Sequence, residues 1–426
     1  MVQRQFISIR NVSKASLLLS IALTALSSTM VGCSDDDSDQ VGDGGEPAQN
    51  GGASSGGTAG HSTGGTHTAG THTGGASGDA GNASAMGGFG GDAAAEAFAV
   101  EGDRRIPYTP TNDLEFVEFF IMHHQMAIDM AEHEVLHGSA ADVKAMAQAV
   151  IDTQTAELET LMTIREQLDG EIAPPPEDPH AVAEMEAMEG MTGAELDAMF
   201  LLEMIPHHAS GLGPAHRALP FLENTTLKQM AADIIATQAK EIGELRARLR
   251  EEGVMGAGED QAPATAGRPD FGLEGDRRVP LTPEDDVTFI DFFVPHHQMA
   301  IEMADHVIAH GSDATVKAMA TTMKETQTSE VELMLGKREE IAGSAEPEPM
   351  PADPHAMAEM AEMMQLEGAE LDEMFLQEMI VHHSTALPTS HRAKPHVMDA
   401  ELRELADAMF DDQAREVGEM QEMLEP

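Results

Sequence analysis

The chain has 426 residues, which allows two or three domains, each large enough to bury a core of its own. Its formal net charge of −51 excludes a surface that follows nucleic-acid phosphates, because such a surface needs clustered Lys and Arg. It has no tryptophan, one tyrosine and 31 methionines, so thioethers supply much of the apolar volume and are available to soft metal ions.

The first 33 residues are predicted to be a lipoprotein signal peptide that ends at Cys33. Arg4, Arg10 and Lys14 precede the apolar run ASLLLSIALTALSSTMVG, as in export signals. The MVGC sequence resembles a bacterial lipoprotein processing box, so we expect acylation of Cys33 and attachment to a membrane through the lipid. A plain cleaved signal and an uncleaved anchor are the alternatives. The expected location is the cell envelope, on the outer membrane or facing the periplasm.

Residues 34–98 are predicted to form a disordered tether. They consist mainly of Gly, Ala, Ser, Thr and Asp, and they cannot bury enough apolar surface to offset the entropy of ordering. His61, His67 and His72 lie in this segment and are interpreted as solvated residues. Weak capture of a divalent ion by these histidines is the alternative.

Beyond the tether the chain repeats itself. EGDRRIPYTPTNDLEFVEFFIMHHQMAIDMAEH begins at Glu101, and EGDRRVPLTPEDDVTFIDFFVPHHQMAIEMADH begins at Glu274. Later, GAELDAMFLLEMIPHHASGLGPAHRA matches GAELDEMFLQEMIVHHSTALPTSHRA. The repeats predict two homologous domains, residues 99–251 and 272–426, joined by a linker over residues 252–271.

Both domains are predicted to be all-α. Their apolar spacing, their Ala, Met, Glu and Leu content and the scarcity of β-branched runs favour helices. Gly138-Ser139 and Gly311-Ser312 are expected to separate the two helices of a hairpin. The Pro-rich stretches APPPEDP and EPEPMPADP are expected to join hairpin to hairpin, each followed by a short Met-rich helical piece. The prediction is two tandem four-helix bundles.

Each domain itself contains two copies of one plan, in which paired histidines are followed about thirty residues later by Gln-x-x-Glu. The four copies are His123-His124 with Gln154 and Glu157, His207-His208 with Gln238 and Glu241, His296-His297 with Gln327 and Glu330, and His382-His383 with Gln413 and Glu416. A carboxylate on the apolar face of a bundle helix is costly unless it is paired or coordinated. We therefore expect the glutamates to meet the histidines, with the glutamines as hydrogen-bonding supports.

The helical period distinguishes the two histidines of a pair. At about 100° per residue, His123 shares a stripe with Met126 and Met130, whereas His124 points to the side. His123 is therefore the predicted ligand, facing Glu157 through a metal ion or a proton, and His124 and His297 are assigned supporting roles. The second domain repeats the stripe with His296, Met299 and Met303.

These donors predict a transition-metal site. Imidazoles, carboxylates and thioethers together favour copper, with another divalent transition metal as the alternative. Further ligands or supports are expected nine or ten residues after the paired histidines, at His133, His216, His306 and His391. A buried hydrogen-bond network without a metal explains the same pattern. An iron oxidase of the ferritin type is disfavoured, because no Glu-x-x-His is repeated across the four copies.

The strings MIPHHASGLGPAHR and FFVPHHQMAIEMA, with their downstream Gln-x-x-Glu, resemble the bacterial "domain of unknown function 305" family. The resemblance implies ferritin-like bundles, export and, for some members, copper binding or tolerance. The carried-over positions are His123, His124, Met126, Met130, His207, His208, His296, His297, Met299, Met303, His382 and His383. The chain departs from the family pattern at Met122 and Val381, where proline is usual, and at Gly211–Pro214, which interrupts the Ala-Ile-x-Met run.

The resulting prediction is an exported lipoprotein that binds copper, or a similar metal ion, for buffering or tolerance. Its partners are expected to be the metal ion and the membrane, with no nucleic acid, and no protein partner is identified. A binding protein is favoured over an enzyme. No nucleophile with a base and no phosphate-cradling loop supports hydrolase or nucleotide chemistry. A two-metal oxidoreductase and a metal-free structural or interaction lipoprotein of the envelope are the alternatives.

Overall fold

The computed structural model describes residues 101–173, 178–253 and 274–425, and this part of the chain is all-helical apart from one pair of short strands. The first half, residues 101–253, contains β1 (Glu101–Asp103), α1 (Asp113–His137), α2 (Ala141–Arg165), α3 (Pro179–Glu189), α4 (Ala194–Ala218) and α5 (Thr225–Glu251). The second half, residues 274–425, contains β2 (Glu274–Asp276), α6 (Asp286–His310), α7 (Ala314–Ala342), α8 (Pro354–Met363), α9 (Ala369–Ala393) and α10 (Ala400–Leu424). The all-α bundle prediction is confirmed.

The predicted signal peptide, the lipidation site Cys33 and the tether with its histidines lie outside the described residues. So does most of the linker over residues 252–271. The described residues belong to one compact unit. None of their helices is both long enough and apolar enough to cross a membrane.

Local signals in the sequence determine where the helices begin and end. Asn112 caps α1 by accepting a hydrogen bond from the backbone N–H of Glu115 at 2.9 Å. Both α1 and α6 end immediately before a glycine, Gly138 and Gly311 respectively, as predicted. The two short Met-rich helices after the Pro-rich stretches are also present, as α3 and α8.

Each half consists of two helical hairpins. In the first half α1 packs on α2, α4 packs on α5, and the hairpins meet through α1 and α4. Asp197 of α4 ties them together, because its carboxylate accepts hydrogen bonds from the backbone N–H groups of Ser139 and Ala140 at 2.7 and 3.0 Å. These two N–H groups precede α2, so Asp197 satisfies donors that would otherwise be unpaired at the start of that helix. Asp372 does the same at the start of α7.

The two halves are joined along α4 with α9 and along α5 with α10. Gly243 and Gly418 allow the second contact, because a Cβ added at Gly243 would lie 2.8 Å from the Cα of Gly418. One apolar cluster contains buried side chains of both halves, among them Phe200 and Phe375. Strands β1 and β2 also pair antiparallel. The domain boundaries at 99–251 and 272–426 remain predictions, but the described helices of the two halves share a core.

Candidate metal centre

The four predicted glutamates contact the second histidine of each pair. Nε2 lies 2.8 Å from the carboxylate in His124–Glu157, His297–Glu330 and His383–Glu416 and 2.9 Å in His208–Glu241. Each pair lies within one hairpin, and all four histidine side chains are fully buried. The fourfold plan predicted from the sequence is therefore one repeated contact in the structure.

This contact differs from the prediction in one respect. His124, and not His123, meets Glu157. Helix α1 has two neighbours, α2 and α4, and successive residues on a helix point about 100° apart. His124 therefore faces α2, whereas His123 faces α4. The expectation that His123 faces Glu157 was therefore wrong, because it considered only one apolar stripe.

The first histidines of the pairs meet across the two hairpins. The rings of His123 and His207 lie 4.1 Å apart, and those of His296 and His382 lie 3.8 Å apart. Nε2 of His296 lies 3.2 Å from the backbone carbonyl oxygen of His382, and Nε2 of His382 lies 3.1 Å from that of His296. A carbonyl only accepts hydrogen bonds, so both Nε2 atoms carry a proton and both Nδ1 atoms present a lone pair.

These lone pairs are buried. Nδ1 of all eight paired histidines lacks a hydrogen-bond partner among the described residues. Burial, followed by the neighbouring histidines His124 and His208, lowers the pKa of His123 to about 3. Burial likewise holds the pKa of His207, His296 and His382 well below the usual value. The first imidazoles are therefore neutral at physiological pH, which is the form that binds a metal ion.

The predicted glutamines are buried beside these histidines. A Cβ added at Gly211 would lie 3.0 Å from both Oε1 of Gln238 and Cε1 of His123, so both side chains border this glycine. In the second half, Gln327 and Gln413 line a cavity of about 10 Å³ between α7 and α10. The other lining residues are Met323, Thr326, Glu330, Met409, Asp412 and Glu416.

Two methionines that were not predicted as ligands line this cavity. Met323 and Met409 are 2% and 1% exposed and lie beside the glutamates that hold His297 and His383. The repeat places Val150 and Ile234 at the corresponding positions of the first half. A comparison of the Gln-x-x-Glu helices would have revealed this difference between the halves.

The methionines predicted as soft ligands lie elsewhere. Met130 and Met303 are buried in the apolar cluster shared by the two halves, and Met126 and Met299 pack against it. His133 and His306 lie near the ends of α1 and α6, where their rings contact those of His137 and His310 in tilted arrangements.

His216 and His391 also lie apart from the paired histidines, at the junction between the halves. Nε2 of His216 lies 2.9 Å from Oε1 of Glu359 and 3.3 Å from Oε1 of Glu378. Nε2 of His391 lies 3.2 Å from Glu203 and 3.7 Å from Glu184. Within the described ranges, three or more histidine or carboxylate ligand atoms gather within 4.8 Å of one another only in these two clusters.

Neighbouring carboxylates favour the charged form of both histidines. Burial opposes the charged form of His216, but hydrogen bonds to Glu359 and Glu378 outweigh this effect and raise its pKa to about 10. Burial also opposes the charge on His391, and the carboxylate of Glu203 raises its pKa above the usual value. The partners of both histidines were not predicted from the sequence. The repeated Asp-Pro-His-Ala-x-Ala-Glu string, at 178–184 and 353–359, was the available signal.

Comparison with known proteins identifies a family. No curated protein and no solved structure matches the chain. A family model described as "Domain of unknown function (DUF305)" matches residues 52–165, 177–249 and 286–424, which together make up more than half of the chain. The matched segments contain all four His-His pairs and their Gln-x-x-Glu partners. The chain therefore belongs to the DUF305 family and contains repeated copies of its helical domain.

Proposed function

We propose that this DUF305 protein binds copper, and that its principal copper site is the cavity between α7 and α10. The observation that carries the proposal is the lining of this cavity, where Met323 and Met409 lie together with Glu330 and Glu416. Two methionines line the cavity beside two glutamates, and each glutamate contacts a buried imidazole. Together these side chains offer soft and borderline donors. Among the common first-row metals this combination favours copper.

The size of the cavity and the histidines behind it support the proposal. A cavity of about 10 Å³ is close to the room that one water molecule or one ion needs. His297 and His383 contact the lining glutamates through Nε2, and their Nδ1 atoms are buried. Carboxylates commonly orient metal-binding imidazoles in this way. The donor side chains already lie close together without a metal ion. Copper would bind here by displacing their protons or by replacing their contacts with one another.

We expect the first half to bind copper more weakly than the second half, or to bind a harder metal ion. The first half has the same four histidines, with the same glutamate contacts, but Val150 and Ile234 occupy the positions of the thioethers. We therefore propose that the soft site belongs to the second half alone. The predicted lipid anchor and tether remain part of the proposal, as the means of holding a copper-buffering protein in the cell envelope.

A metal-free structural role is the second candidate. The direct contacts of 2.8 to 2.9 Å between Nε2 and the glutamates favour it, since side chains already in contact need no ion between them. The contact of His383 with Glu416 is also a hydrogen bond. The two candidates differ in what they require of the methionines. A hydrogen-bond network does not depend on sulfur, whereas a Cu(I) site does.

The test is Cu(I) titration of the full chain under reducing conditions, in competition with a chelator. A Met323→Leu, Met409→Leu variant removes the two sulfur atoms and nearly conserves volume. We expect its Cu(I) affinity to fall at least tenfold. Met299→Leu, Met303→Leu is the matched control, because those methionines pack in the apolar cluster, and its affinity should equal that of the wild type. Equal affinity in all three proteins, or no binding by the wild type, would overturn the proposal.

A further inference from the structure

A second pair of polar clusters lies where the halves meet, and two repeated strings build it. One string is Asp-Pro-His-Ala-x-Ala-Glu, at 178–184 on α3 and at 353–359 on α8. The other is His-Arg near the end of a long helix, at 216–217 on α4 and at 391–392 on α9. In the folded chain, each Asp-Pro-His string meets the His-Arg string of the other half.

The His216 cluster joins α4 of the first half to α8 and α9 of the second. Its members are His216, His355, Glu359 and Glu378. His355 and Glu359 are one helical turn apart and lie 2.5 Å apart between Nε2 and Oε1. His216 approaches the same oxygen of Glu359 from the other half at 2.9 Å. His216, His355 and Glu359 therefore place three ligand atoms within 4.8 Å of one another, and Glu378 contacts His216 at 3.3 Å.

The His391 cluster is its counterpart, with the halves exchanged. Its members are His391 of the second half and His180, Glu184 and Glu203 of the first. His180 contacts Glu184 one turn along α3, and its ring lies 6.2 Å from that of His391. The ring separation of His216 and His355 in the other cluster is 6.1 Å. The repeat thus preserves the residue types, although His180 contacts Glu184 through Nδ1 and His355 contacts Glu359 through Nε2.

An arginine from the opposite half holds each short helix in position. Both amino-terminal caps are aspartates, Asp178 for α3 and Asp353 for α8. Nη2 of Arg217 donates to both carboxylate oxygens of Asp353 at 2.8 Å, and Nη1 of Arg392 donates to Asp178 at 2.7 Å. Each arginine follows the cluster histidine directly in sequence. One short segment therefore supplies a ligand and also anchors the helix that carries the other donors.

We propose that the His216 and His391 clusters are two divalent transition-metal sites, each formed by side chains from both halves of the chain. Two ligands of a tetrahedral ion, each about 2.1 Å from it, lie about 3.4 Å apart. The contacts of His216 and His391 with their glutamates range from 2.9 to 3.7 Å, so small movements of the side chains, with release of the imidazole protons to solvent, would admit an ion. Two nitrogen and two carboxylate donors, without sulfur, suit Zn(II), Co(II) or Cu(II).

These sites are separate from the copper cavity in both position and chemistry. Their eight donors include none of the paired histidines and none of the cavity residues. Neither half alone supplies a complete set, so an ion in each cluster would link the halves and hold α3 and α8 in place. Binding at these clusters neither requires nor excludes Cu(I) at Met323 and Met409.

Co(II) titration of the full chain, followed by its visible absorption, tests the proposal. We expect two equivalents bound in four-coordinate sites by the wild type, displaced by Zn(II). His216→Ala and His391→Ala should each lose one equivalent, and the double variant should lose both. In the wild type, Zn(II) should also slow amide hydrogen exchange in α3 and α8. This slowing should be absent from the double variant.

The controls separate loss of ligands from loss of structure and from failure of the copper proposal. His133→Ala, His306→Ala removes one half-buried histidine from each half outside the clusters and should keep both Co(II) equivalents. Glu359→Gln preserves the shape of its side chain and should weaken only the His216 site, by tenfold or more. The Met323→Leu, Met409→Leu variant should keep both equivalents. Equal Co(II) stoichiometry in the wild type and the double histidine variant, or no Co(II) binding by the wild type, would overturn the proposal.

Discussion

Nε2 of His297 lies 2.8 Å from Oε2 of Glu330, and the histidine side chain is completely buried between α6 and α7. The same relationship holds in the other three hairpins. Each glutamate therefore contacts the Nε2 atom of a histidine side chain that is not accessible to water.

Glu330→Ala should therefore destabilise the fold. The substitution removes the carboxylate that contacts the fully buried imidazole of His297, and leaving a buried polar group without a partner costs about 1–3 kcal/mol. Urea unfolding of the metal-free protein measures the change. Glu332→Ala is the control, because this exposed residue lies on the same helix and should change stability by less than about 0.5 kcal/mol. Equal effects of the two variants would show that the His297 contact contributes nothing.

Gly243→Ala should weaken the junction between the halves. Its new Cβ would lie 2.8 Å from the Cα of Gly418, and backbone cannot move aside as a flexible side chain can. We expect a loss of about 1–3 kcal/mol, as for other overpacked sites, measured by thermal unfolding.

Gly336→Ala is the matched control, because the space around this glycine in α7 is open. Alanine is the better helix former there, so a gain of about 0.5–1 kcal/mol is expected. A stabilising Gly243→Ala substitution would contradict the close approach of α5 and α10.

The stability of the first half should depend on pH through Glu134. The pKa of Glu134 is raised to about 8. Burial is the largest cause, followed by a hydrogen bond to Asp197 and then by the charge of that residue. The folded state therefore holds a proton that the unfolded state releases near its ordinary pKa of 4.5. Stability from this group is complete below about pH 4.5 and is lost as the pH rises to about 8.

The repeat itself provides the variant that tests this dependence. The corresponding residue of the second half is Val307, so Glu134→Val introduces the residue that the chain already has at the equivalent position. Chemical unfolding of both proteins between pH 4.5 and 8 should show the wild type losing stability relative to the variant as the pH rises. A constant difference across this range would mean that Glu134 titrates normally.

Much of the fold could be predicted from local sequence. The four His-His and Gln-x-x-Glu copies, the breaks at Gly138 and Gly311 and the short helices after the Pro-rich stretches all depend on signals within a few residues. Capping, helical periodicity and the repeat are local or directly visible properties, so they can be predicted without knowing how the helices pack.

The candidate sites were predicted less completely. The meeting of histidine and glutamate within each hairpin was foreseen, but the partner of Glu157 is His124 and not His123. The sequence of one helix shows only one apolar stripe, whereas a helix that packs against two neighbours buries two faces. Which face meets which neighbour depends on the packing of α2 and α4 around α1, and the periodicity of α1 alone does not contain that information.

The amino-acid sequence by itself determined the all-α class, the twofold repeat, the fourfold histidine–glutamate plan and the strong negative charge. The tertiary structure alone decided which donors converge. His216 and Glu359 are separated by 143 residues and belong to different halves, yet they lie 2.9 Å apart. Such contacts arise from the docking of α4 and α5 against α9 and α10, where buried apolar surface and the Gly243–Gly418 approach select one arrangement of two similar halves.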